Sequence, residues 1–216
     1  MMSDENISET DVEQIKETAS KAVESGENIH NEVRDITLKA LQQGKLDREH
    51  VNKVVKAVTE GVTKGSLTQG ESSKEALKEA VMGLDQALLA SVESSKLAVD
   101  EAVGRIKDFT EQDVKQAVND VESLETLFLE TLTGVAQASG GAAKEIMTDL
   151  HLHMQHSGTA VGEKSGEVLS SLHQSLSQIG HESAKNSVQV TQQAGESGAR
   201  IASGFLAGIA DSLHQR

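Results

Sequence analysis

The side chains best spaced for chemistry sit in one short stretch. Asp149, His153 and His156 stand at i, i+4 and i+7, which places them on one face of a helix, with His151 just off it. Imidazoles one turn apart can chelate zinc or nickel. Only one carboxylate joins them and no further strong ligand stands close in sequence. The stretch therefore reads as an exposed polar face that carries histidine, and neither a resident metal nor a cofactor is expected. Five of the eight histidines lie between His151 and His181, where other charge is sparse, so mild acid would change the local sign there. Other chemistry finds no support. The chain has no Cys, which removes thiolate nucleophiles, thiolate zinc sites and disulfides together. Gly-rich phosphate loops of the GxGxxG or GKS/T type are missing. A Ser-His-Asp site needs three groups fixed on a rigid scaffold, and the carboxylate pairs here fall on charged faces where solvent covers them. The expectation is a protein that is not an enzyme.

The elements that hold these groups follow from a repeat. In a frame of eleven residues, the positions with remainders 0, 3, 4 and 7 carry Ile29, Val33, Ile36, Val51, Val55, Val58 and Val62. Without a shift of phase they go on to Leu77, Val81, Leu84, Leu88, Val92, Val99, Val103 and Ile106. Further on they hold Val121, Leu124, Phe128, Leu132, Met147, Leu150, Met154, Leu169, Leu172 and Leu176, then Ile201, Phe205, Ile209 and Leu213. From Ile7 to Leu213 these remainders cover 76 positions, of which 47 are apolar and five charged, while the other 140 residues hold 32 apolar and 49 charged. One face has been kept clean along the whole chain. Four positions in eleven trace a stripe on a helix of about 3.67 residues per turn, slightly above the relaxed value, so the stripe runs nearly straight with a right-handed drift. The fold class expected is all-α: long amphipathic helices with a hendecad repeat, in a coiled coil or an extended helical bundle.

Joints are expected near Gly44, over residues 65–72, and at Gly140-Gly141. The phase survives all three, which favours long helices with flexible joints over a chain folded back on itself. Thr10-Asp11-Val12-Glu13 reads as a capping box. Residues 1–11 are then a polar tail, 12–139 a charged hendecad region, and 142–216 a low-charge helical region rich in Ser, Gly and His. The boundary follows charge: residues 1–122 hold 40 charged side chains and residues 123–216 only 14. In that last region glycines recur every four residues, at Gly158, Gly162 and Gly166 and at Gly204 and Gly208. Such spacing either lets another helix come close or leaves a helix that orders only against an apolar surface.

Composition sets further bounds. Three Phe and no Trp or Tyr mean a core built from Val, Leu, Ile and Ala, and the absence of Pro leaves helices without their strongest breaker. A formal charge of −14 with no basic run excludes nucleic acid and anionic lipid as main partners. The apolar stretches 127–135 and 201–210 are too short to span a bilayer, which takes about 20 residues. No secretory signal is visible in MMSDENISETD, so a cytoplasmic location is expected.

In its eleven-residue amphipathic repeat, scarcity of aromatics and lack of Cys, the chain resembles several families. One is the phasins, helical coats of polyhydroxyalkanoate granules. The stretch Val190-Thr191-Gln192-Gln193-Ala194-Gly195-Glu196 resembles the repeats of late-embryogenesis-abundant stress proteins, although that family is richer in Lys and more hydrophilic than a mean hydropathy of −0.35. Apolipoprotein-like and perilipin-like lipid coats share the period. The resemblance is one of pattern and composition and assigns no residue a role. Two functions follow as expectations. The first is a structural protein that self-associates through the stripe into a homo-oligomer, bundle or filament. The alternative is a phasin-like coat on a polymer granule or lipid droplet, or a stress-protective protein. Surface-binding stripes favour bulky residues, whereas packed helices accept Ala, Ser, Gly and Val, and this stripe leans to the second kind.

Overall fold

The computed structural model describes residues 7–43, 48–104 and 111–185. Among them the regular elements are all helical: α1 (Glu9–Ser25), α2 (Ile29–Leu41), α3 (Arg48–Ser66), α4 (Ser73–Gly104), α5 (Glu111–Ala138), α6 (Gly141–Ser157) and α7 (Ala160–Lys185), with a short 3-10 stretch, Leu67–Ser72, between α3 and α4.

Helix α1 begins earlier than its sequence suggests. Ser8 is the N-cap: its hydroxyl accepts the N–H of Asp11, and the Asp11 carboxylate accepts the N–H of Ser8, each at 3.2 Å. The capping box is therefore Ser8 with Asp11, two residues upstream of the Thr10–Glu13 box expected. Ile7 and Val12, on either side of this cap, both pack against the core, as a hydrophobic staple requires. The staple draws Ile7 and Val12 towards the core.

The helices lie side by side, a departure from the extended arrangement that continuity of phase predicts. The start of α1 (Ile7, Asp11, Ile15) shares a groove with the end of α2 (Ile36, Lys39, Gln43), so these two are antiparallel. Helix α3 runs parallel to α1: Lys16 pairs with Glu60 at 3.0 Å, and the Gln69 amide donates to the carbonyls of Val23 and Glu24. Gly70, at φ 56 and ψ −118, makes the kink into α4, which lies along α2. Helices α5 and α6 form an antiparallel pair, with Thr133 Oγ1 3.3 Å from His151 Nδ1. Helices α6 and α7 then follow one another along α4 in its own direction, with Lys74 meeting Asp149 and, further on, Glu93 meeting Lys164. Short turns allow this return. Gly26, Gly70, Gly141 and Gly158 all take positive φ, a region open to glycine at little cost.

The stripe becomes the interior. Leu77, Val81, Leu84, Leu88 and Val92 of α4 are fully buried, as are Phe128, Leu132 and Met147. The buried set is also wider than the stripe. Leu38, Leu41, Val54, Ala57, Ala76, Ala87 and Leu127 fall outside the four remainders yet are buried. Helices α3 and α4 each touch several neighbours, and a helix with several neighbours needs more than one narrow seam. Helix α1 keeps the frame only in part: Ile15 and Ala22 are buried frame positions, but Ala19, Ser20 and Val23 are buried outside it. The frame positions Asp11, Gln14 and Thr18 are exposed.

Candidate functional site

The candidate site is the apolar stripe itself, together with the small residues that set how closely helices meet on it. Its described members are inside the bundle. Val121, Leu124, Leu150 and Val168 join the α4 residues in the core, and Leu169 packs partly buried against it. Val99, Val103, Ile106, Leu172, Leu176, Ile201, Phe205 and Ile209 lie outside the residues whose side chains are described. Several hydroxyls on the buried face are satisfied within their own helix. Thr37, Thr59, Thr63 and Ser91 each donate to the carbonyl four residues back, at 2.7–3.1 Å. A hydroxyl that turns back on its own helix presents mainly its carbon to a neighbour, so Ser and Thr interrupt the stripe at little cost.

Close approach occurs at glycines other than the ones the spacing singled out. A Cβ on Gly61 or Gly65 of α3 would run into the backbone carbonyls of Lys16 and Ser20 of α1, and one on Gly83 of α4 into that of His30 of α2. Gly166 has nothing within 4 Å, Gly158 is the turn between α6 and α7 at φ 80, and Gly162 faces the Glu125 carboxylate instead of a helix backbone. Gly204 and Gly208 lie outside the described residues. The sequence signal for Gly61 and Gly65 was present, since they too are spaced by four. Gly65 also opens the joint expected over residues 65–72.

The histidine stretch lies on α6. Asp149 is exposed and turned to Lys74, 3.3 Å away. His153 and His156 are exposed, and the Nδ1–H of His156 donates to the Leu152 carbonyl at 2.7 Å. Among the described residues no three His, Asp or Glu side chains gather where they could hold a metal ion. Two hollows among the described residues are open grooves. One lies between α1 and α2. The other lies between α3 and α5, where Arg48, Lys56, Glu60 and Glu130 rim a floor of Leu127 and Val135. No helix among the described residues is long and apolar enough to cross a membrane.

Fold and site together define an all-helical bundle protein whose distinctive surface is its own packing face. The chain belongs to the family described as a family of unknown function, DUF6781, which matches residues 5–215. No curated protein and no solved structure matches it.

Proposed function

We propose that this is a non-enzymatic structural protein that self-associates through the hendecad stripe, the same face serving contacts within a chain and between copies. The observation that supports this reading is the shared core: stripe residues from separate helices, Leu77, Leu84 and Leu88 of α4 with Phe128 and Leu132 of α5 and Met147 of α6, are buried together. A face that packs against other segments of the same chain can pack against the same segments of a second copy, and a parallel, in-register homo-oligomer sets like residues opposite one another. A helix that leaves its neighbour in one copy finds an equivalent face in another, as in domain swapping.

The absence of Cys makes a direct test possible. Leu89→Cys places one thiol at a half-buried position beside the stripe of α4. Sedimentation should show mass rising with protein concentration, and mild oxidation should give a covalent dimer through this single position. A constant monomer mass across the range would overturn the proposal. Association seen only when neutral vesicles or polymer particles are added would replace it with the coat reading.

A further inference from the structure

The start of α7 is fastened by two other helices. The Asp85 carboxylate of α4, almost fully buried, accepts the N–H of Ala160 at 2.7 Å and of Val161 at 3.0 Å. Thr159, buried beside it, accepts the N–H of Gly162 at 2.9 Å and donates its hydroxyl to Glu125 Oε1 of α5 at 2.8 Å. The first-turn donors that a helix leaves unsatisfied are thus met, but two of them by a residue 75 positions away. Ser8 caps α1 from within its own segment, whereas α7 depends on tertiary contact for its start. Further along α7, Val168 is fully buried, while the buried Ser165 hydroxyl has no hydrogen-bond partner among the described residues, and burial without a partner opposes docking.

We propose that α7 is a releasable cover over the apolar face of α4 and α5, fastened at its first turn by the Asp85–Glu125 clasp. The inference rests on the self-association reading for its purpose, because the helices that α7 packs on, α4 and α5, carry stripe residues such as Leu88, Val92 and Val121. The clasp itself stands on geometry alone.

The clasp also responds to acid, in the direction of closing. Burial pushes the Asp85 carboxyl above its usual range of 3.8; the two N–H donors oppose this and the Glu125 charge adds to it. On α7 itself, Glu163 is exposed and Lys164 pairs with Glu93 and Glu167. The other helices packed on α4 bring Asp149 paired with Lys74, exposed His153 and His156, Arg34 paired with Asp35, half-buried His30, Lys16 paired with Glu60, and exposed Lys64. Glu125 is the charge among these that acts on Asp85. A group whose acid form is favoured in the docked state binds its proton more readily there. Docking therefore tightens as pH falls through the raised value, and the gain is complete below the ordinary carboxylate value.

Amide hydrogen exchange of the full-length protein tests this. Asp85→Ala removes both bonds and should speed normalised exchange over residues 160–170 about tenfold or more, while α1–α3 keep their protection. Asp85→Asn keeps one of the two acceptors, without the charge. It should hold α7 better than Asp85→Ala does and abolish the extra protection that wild type gains as pH falls towards the ordinary carboxylate value. Unchanged exchange in Asp85→Ala, or an unchanged pH response in Asp85→Asn, would overturn the clasp. Sedimentation of Asp85→Ala separates the two ideas. Faster exchange with increased mass supports both, and faster exchange at constant monomer mass supports the clasp while counting against self-association.

Discussion

At the scale of single residues, small side chains decide how near two helices come. Gly83 is buried in a helix with ordinary helical dihedrals, so conformational freedom is not its purpose. It is there because any Cβ would meet the His30 carbonyl. Gly83→Ala should destabilise the bundle by about 1–3 kcal/mol, the usual cost of overpacking, read as a lower urea midpoint with an unchanged slope. Gly134 is the converse case. It is exposed in mid-helix with nothing within 4 Å, so Gly134→Ala should raise stability by up to about 1 kcal/mol. A shared sign for the two substitutions would contradict this account. Asp85 belongs to the same scale: its role depends on two backbone N–H groups that no local pattern brings to it.

At the scale of elements, the junctions carry the information that turns one striped chain into a bundle. The kink at Gly70 uses dihedrals that only glycine adopts without strain, with φ 56 and ψ −118. A Cβ there would meet no other group, so backbone strain is the whole penalty. Gly70→Ala should cost about 1–3 kcal/mol in urea denaturation and leave the far-ultraviolet helix signal of the native protein intact. Loss of helix signal in native buffer would show instead that the kink is needed for folding itself. The beginning of each helix is held differently. Ser8 and Asp11 exchange hydrogen bonds within four residues, while α7 draws on α4 and α5, so α1 can start alone and α7 cannot.

At the scale of the whole molecule, one apolar face is shared among helices with few large side chains, so each bulky residue carries a large part of the core. Leu84 is fully buried on α4. An unpaired carboxylate in its place loses the transfer energy of Leu and adds the cost of a buried charge. Leu84→Asp should therefore lower stability by more than about 3 kcal/mol and broaden or abolish the cooperative melt of helicity followed by circular dichroism. A wild-type melt would mean that the bundle does not depend on its interior stripe.

The helical class and most of the buried face were legible in the sequence because amphipathic periodicity is a local property, fixed by which side chains recur at the helical period. Leu77 through Val92 could be read as core residues without knowing what they touch. Breaks at Gly70 and Gly140-Gly141 were legible for the same reason, as glycine acts on its own backbone. The pairing of helices was not. An apolar stripe looks much the same along its whole length and does not distinguish α3 from α4 as the neighbour of α1. Tertiary structure made that choice through turn geometry and through the glycines that admit a neighbouring backbone. It also drew Val54, Ala57 and Leu127 into the core and joined Asp85 to the start of α7. Those roles depend on a second helix, and burial against a second helix leaves no periodic mark on the first.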